Sequence, residues 1–149
     1  MTTDILEFKE EHEFLSNFWP SPVRFEGQLY PTVEHAFQAA KTSDPDGRRR
    51  IREARDPGKA KRLGRGVRLR KDWESAKLGI MEGLLRAKFA DAALRELLLA
   101  TGEARLVEGN TWGDVFWGVC RGQGKNHLGR LLMRVREELA RAAAVGPEA

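Results

Sequence analysis

Apolar and polar positions alternate along this chain in two rhythms, a short-range one near the N-terminus and a helical one almost everywhere else. Ile5 to Phe8 reads as a short strand, and Val23 to Tyr30 as a hairpin around Glu26-Gly27. The segment Tyr30–Lys41, YPTVEHAFQAAK, then opens a helix at a Pro-Thr pair, running from about Val33 to Lys41. At about 100° per residue, Val33, Ala36, Phe37 and Ala40 share one side, and Glu34, Gln38 and Lys41 form a stripe roughly 100° away. A carboxylate, an amide and an ammonium on one edge of an apolar helix are suited to the wall of a polar pocket.

Further along, Asp44-Pro45-Asp46-Gly47 signals a turn, and a basic helix is expected from Arg48 to Ala54. Asp56-Pro57 suits the N-cap and first turn of another helix, ending near Gly64 or Gly66. Asp72 is placed to cap the longest central helix, in which Trp73, Ala76, Lys77, Ile80, Met81, Leu84, Leu85, Lys88 and Phe89 recur at helical spacing. Asp91 caps the next helix, which ends at Thr101-Gly102. Arg105 to Glu108 reads as a short strand. Gly109 to Gly124 is rich in glycine and aromatics and should be irregular. Asn126 is placed to cap a final helix whose buried stripe is Leu128, Leu131, Leu132, Val135 and Leu139, with a tail that frays after Ala143. The expected fold is mainly α (α+β), a compact multi-helix domain with a small β-hairpin or sheet element. One domain over 1–149, with its core at about 6–143, accommodates every segment.

Bulk composition agrees with a soluble globular chain: 149 residues, 41% hydrophobic and 32% charged. No apolar run approaches the roughly 18 residues needed to cross a bilayer. The acidic start MTTDILEFKEEHEF lacks the basic and apolar regions of a signal peptide, and the single Cys120 precludes an intrachain disulfide. A cytoplasmic setting and no membrane partner are the expectation. The net charge of +4 conceals an asymmetry: Arg48 to Lys71 is +10, and the remainder is −6. Such a block attracts phosphates, or else forms a solvated arginine-rich face.

Several residues are candidates for chemistry. Each of the four tryptophans, Trp19, Trp73, Trp112 and Trp117, serves either as a flat wall for a base or ribose or as a core anchor. Asp114 lies between two Trp-Gly pairs in GNTWGDVFWGV. It can orient a sugar hydroxyl or move a proton, or merely close an Asx-turn on nearby backbone N–H groups. Gly118 in the same segment permits close approach of backbone to a ligand. The loop GQGKNHLG before the last helix is neither a dinucleotide fingerprint nor a Walker motif, and Asn126 within it is most simply an N-cap. His12, His35 and His127 lack metal-ligand spacing, so neither metal nor cofactor is expected. Lys77 and Lys88, on a mostly apolar face, either snorkel outward or reach into a pocket.

Taken in order, FLSNFWPSP, YPTVEHAFQAAK, AKRLGR, Trp73 with Lys77 and Met81, LLRAKF, LLATG, WGDVFWGV and GKNHLGRLLMRVR resemble the NADAR superfamily of YbiA-like N-glycosidases. The resemblance covers about residues 6 to 140. It implies hydrolysis of an N-glycosidic bond to ribose. The expected substrates are phosphorylated ribosylamino-pyrimidine intermediates of riboflavin synthesis, with ribose 5-phosphate released. The alternatives are removal of ADP-ribose from guanine, as nucleoside or in nucleic acid, and a non-catalytic module that binds NAD or ADP-ribose. Carried over by position, the resemblance points to Glu34, Trp73 and Asp114, with Asn17, Phe18, Trp117 and Asn126 as pocket neighbours. A carboxylate beside the anomeric carbon stabilises the positive charge that develops there and can take a proton from water. Glu34 is accordingly expected to be catalytic, with Asp114 binding ribose hydroxyls or assisting proton transfer. Trp73 would stack on base or sugar, and Lys41, Lys88 or Arg65 would hold phosphate. Trp19 stands where the family often has tyrosine, and WGDVFWGV carries an internal Val-Phe, which leaves base selectivity open. A basic nucleic-acid-binding domain without a pocket fits less well, because the tryptophans do not interleave with the basic block.

Overall fold

In the computed structural model, residues 3–145 are described, and they fall into two units: Asn17–Lys88, and 3–16 together with 89–145.

The unit Asn17–Lys88 begins with the expected hairpin. Strands β1 (Val23–Phe25) and β2 (Gln28–Tyr30) pair antiparallel with Val23 opposite Tyr30. Glu26 and Gly27, at φ 46° and 86°, form its left-handed two-residue turn. Helix α1 (Val33–Ala40) is the hub and packs against α2 (Pro45–Arg52), α3 (Pro57–Gly64), α4 (Trp73–Lys88) and the hairpin. Its start is specified locally: the Thr32 hydroxyl accepts the His35 N–H at 3.0 Å. All eight residues of α1 are buried, polar ones included, so the helix has no solvent face. His35 meets the demands of burial through Thr32 Oγ1 (2.8 Å from Nδ1) and the Ala54 carbonyl (3.1 Å from Nε2), which makes it a structural residue.

Two expectations in this unit change. The Asp44–Gly47 segment is the start of α2 rather than a free turn: Asp44 caps it by accepting the Gly47 N–H at 3.1 Å, and Pro45 takes the first-turn position where no N–H is needed. The Asp72 carboxylate binds Arg70 at 2.6 and 3.0 Å, so the start of α4 relies on the Asp72 carbonyl, which accepts from Ser75 and Ala76. Asp56 caps α3 as expected, accepting the Lys59 N–H at 2.7 Å.

The other unit contains a 3₁₀ segment, η1 (Glu10–Leu15), which the sequence pattern did not reveal. It also contains α5 (Ala92–Ala100) and α6 (His127–Val145). Asp91 caps α5 by accepting the Leu94 N–H at 3.0 Å, and Gly102 at φ 63° ends it. The expected strands at Ile5 to Phe8 and Arg105 to Glu108 reduce to one parallel bridge, Ile5 with Leu106. The Gly-rich segment is irregular except for a two-residue parallel pair, β3 (Gly109–Asn110) with β4 (Val119–Cys120). Core residues here include Leu15, Leu98, Leu106 and Leu132, each fully buried. Helix α6 continues through Val145, past Ala143 where fraying is expected, and the last four residues of that tail lie outside the described residues.

Candidate active site

Within Asn17–Lys88 the polar edge of α1 is real but buried. Glu34 is only 7% exposed. Gln38, one turn on, donates its Nε2 N–H to Glu34 Oε2 at 2.7 Å. The amide can only donate at that nitrogen, so the contact favours an ionised, oriented carboxylate. The Glu34 N–H donates to the Asn17 carbonyl at 3.1 Å, tying the catalytic candidate to the FLSNFW segment. Asn17 Nδ2 reaches Met81 Sδ at 3.6 Å, while Asn17 Oδ1 is buried without a donor among the described residues. Phe18, its neighbour, is 42% exposed.

Gly64 explains the conformation of Gln38. A Cβ at position 64 would lie 1.9 Å from Gln38 Oε1, so only glycine lets α3 approach α1 this closely. Gln38 Oε1 is also buried without a donor, packed against that glycine. The amide is thereby held with its nitrogen, not its oxygen, toward Glu34.

Lys41, at the end of α1, is the basic group that interacts with Glu34. Burial pushes the Lys41 ammonium below the ordinary lysine range; the Glu34 carboxylate opposes that shift, and Arg65, Lys61 and Lys77 add to it. Lys41 is therefore the basic group that feels both the Glu34 carboxylate and the Arg65 guanidinium. Lys77 is held at 2.7 Å by Glu74 on α4. Lys88 does not snorkel: it is 1% exposed, and burial lowers its pKa to about 7. Trp73 is 6% exposed, its ring 5.0 Å from Phe37 and tilted by 53°. It anchors α4 to α1 through Phe37, on the apolar side of the helix.

In the other unit, Asp114 closes an Asx-turn: Oδ1 accepts the N–H groups of Phe116 at 3.1 Å and Trp117 at 2.9 Å. Asn110 braces the same turn, accepting the Asp114 N–H at 3.1 Å and donating to its carbonyl at 2.9 Å. Sequence reasoning missed Asn110, although its place four residues before Asp114 in a Gly-rich loop is the available signal. Trp117 is half-buried, edge-on to Phe116 with centroids 4.9 Å apart, and His127 completes the aromatic cluster. A Cβ on Gly118 would sit 2.2 Å from the Glu108 carbonyl, so the glycine serves close backbone packing. Asn126 is not a conventional N-cap. At φ 54° its side chain accepts the Glu108 N–H and donates to the Leu106 carbonyl, both at 3.0 Å, stapling the loop to the start of α6. Among the described residues no His/Cys/Asp/Glu group is arranged to hold a metal ion, and no helix is long and apolar enough to cross a membrane.

A buried carboxylate held by an amide and acting on a lysine is suited to an anionic substrate. The chain matches the NADAR domain over residues 6–140, and it belongs to that family. It is 47% identical over 135 residues to N-glycosidase YbiA of Escherichia coli, covering 88% of this chain and 84% of the relative. A riboflavin biosynthesis protein of Vibrio vulnificus is 40% identical, over 87% of this chain and 36% of that larger protein. The NMR structure of Escherichia coli YbiA superimposes with a TM-score of 0.86 at 42% identity, over all of this chain and 92% of that one. These relatives fix the fold class as mainly α with small β elements, and they place the chain among hydrolases of N-glycosyl compounds.

Proposed function

We propose that the protein hydrolyses the ribosyl C–N bond of phosphorylated ribosylamino-pyrimidine intermediates of riboflavin synthesis, releasing ribose 5-phosphate. The observation that carries this reading is the buried Glu34 carboxylate, oriented by Gln38 at 2.7 Å and acting on the Lys41 ammonium. As the C–N bond breaks, positive charge grows on the anomeric carbon. A carboxylate in a low-dielectric setting stabilises that charge more strongly than it would in water. The same group accepts a proton from the attacking water, and the departing amine takes up a proton. Asn17 Oδ1, buried and lacking a donor, suits a ribose hydroxyl. Lys41, Arg65 and Lys88 supply charge for phosphate. For Asp114, the fixed Asx-turn leaves Oδ1 committed to backbone, so ribose binding or proton transfer falls to Oδ2. Trp73, Phe18, Trp117, Gly118 and Asn126 remain assigned to substrate binding. Relatives from Vibrio vulnificus and Zea mays that are named riboflavin biosynthesis proteins support the choice of substrate.

The family match runs through both units, which supports reading the chain as one domain; a cytoplasmic setting goes with this reading as a proposal. Separate incubation with a ribosylamino-pyrimidine phosphate and with ADP-ribosylated guanosine tests the substrate. Release of ribose 5-phosphate from the first is expected. Release of ADP-ribose from the second alone would move the assignment to the guanine reaction, and turnover of neither would leave only a binding module.

A further inference from the structure

The +10 block between Arg48 and Lys71 is unevenly neutralised. Arg48 pairs with Glu26 at 2.6 Å, Arg49 with Glu53 at 3.2 Å, Arg50 with Asp46 at 3.3 Å, and Arg70 with Asp72 at 2.6 Å. Arg62 and Arg68 form no salt bridge among the described residues, and both are exposed; the Arg62 charge is felt by the Asp56 carboxylate at the start of α3, outside the cleft lining. These two face a cleft of about 310 Å³ between α2 and α3, whose other lining includes Arg50, Ile51, Leu63 and Gly66. Asp44 is the sole acid in that lining, and its carboxylate already accepts the Asp46 and Gly47 N–H groups. The cleft is thus a concave surface with three guanidiniums and one committed carboxylate. Its volume lies at the lower end of the roughly 300–1,000 Å³ of small-ligand sites. Leu63 and Gly66 line it, whereas Gly64 between them packs on Gln38, so the C-terminal turn of α3 separates the cleft from the carboxylate edge.

We propose that this cleft is a second anion site, which grips a phosphate group through the paired forks of Arg62 and Arg68, apart from the Glu34 edge. Guanidinium is suited to this: it stays charged and offers planar paired donors that match phosphate oxygens. The exposed arginines and the surrounding basic segment favour a polynucleotide backbone as the source of the phosphate, with a free phosphorylated small molecule sharing the same chemistry.

The test compares wild type with the double variant Arg62→Gln/Arg68→Gln. A second double variant, Arg130→Gln/Arg141→Gln on α6, removes equal charge elsewhere. Binding of a labelled single-stranded oligonucleotide is followed by anisotropy across a salt series, and binding of inorganic phosphate by calorimetry. The expected result is at least tenfold weaker oligonucleotide binding for the cleft variant only. Its log–log salt slope should fall by about 1.4, from two lost contacts at about 0.7 each for single strands. Loss of phosphate binding alone assigns the cleft to a small phosphorylated ligand. Equal losses in both double variants, or none in the cleft variant, overturn the proposal. Riboside turnover by the cleft variant should match wild type, so failure here is separable from failure of the Glu34 reading.

Discussion

Lys88→Met converts the deeply buried ammonium into an apolar chain of similar length. Lys88 is 1% exposed, and burial takes its pKa from 10.5 to about 7. In the unfolded chain the amine binds its proton up to about pH 10.5, whereas in the fold it releases it near 7. Between those values the unfolded state carries more protons, so the native state gains stability as pH rises and loses it as pH falls toward 7. Holding the protonated amine in that buried setting costs about 5 kcal/mol, since each tenfold change in proton affinity is worth about 1.36 kcal/mol. Methionine forfeits any hydrogen bond of the amine, worth about 1 kcal/mol, so the variant should be more stable by about 3–4 kcal/mol near pH 7. That is a rise on the order of 10 °C in Tm. Thermal melts of both proteins from pH 6 to pH 10 measure it. The advantage should be largest at pH 6–7 and shrink steadily toward pH 10, where the wild-type amine is neutral in the fold. A stability difference independent of pH would refute the reasoning, because Lys88 would then titrate alike in both states. If Lys88 also contacts phosphate, the stabilised variant should show a raised KM for the riboside.

Other substitutions examine the supports of the site. Gly64→Ala places a Cβ 1.9 Å from Gln38 Oε1 and should cost about 1–3 kcal/mol in urea unfolding, with kcat falling as Gln38 is displaced. Gln38→Leu removes the 2.7 Å donor to Glu34, and its pH–rate profile should shift to higher pH because the carboxylate is less well held in its ionised form. An unchanged profile would remove Gln38 from that positioning role. Thr32→Ala deletes the α1 cap and should cost about 1–2 kcal/mol in the same unfolding assay. Asp114→Asn keeps an oxygen for the Phe116 and Trp117 N–H groups and should preserve Tm. A large loss of kcat in that variant would locate chemistry at Oδ2, and full activity would leave Asp114 as a turn former.

Much of the fold was legible because local chemistry and tertiary packing agree. Thr32, Asp56 and Asp91 cap where their side chains precede helical periodicity, and the Glu26-Gly27 turn fits its hairpin. The misreadings occur where a residue has a better partner. Asp72 turns to Arg70, and Asn126 turns to the backbone of Leu106 and Glu108; neither contact is visible from a helix start. At the candidate site the Glu34–Gln38–Lys41 stripe could be read from helical spacing. The burial of Glu34 and Gln38 could not, since polar residues ordinarily mark a solvent face; Lys41, at the helix end, stays half-buried. The closeness of Gly64 to Gln38 joins residues of different helices and leaves no periodic trace.

The central claim rests on Glu34 as the carboxylate that meets the anomeric carbon. Its most direct test is single-turnover hydrolysis of a ribosylamino-pyrimidine phosphate by wild type and Glu34→Gln, with ribose 5-phosphate as the measured product. The glutamine keeps the shape and a hydrogen-bonding partner for Gln38, so the circular dichroism and Tm should stay close to wild type. The predicted result is a rate lower by about 10²–10⁴-fold, the range of a positioned acid or base. A near-wild-type rate from a folded Glu34→Gln protein would contradict the account.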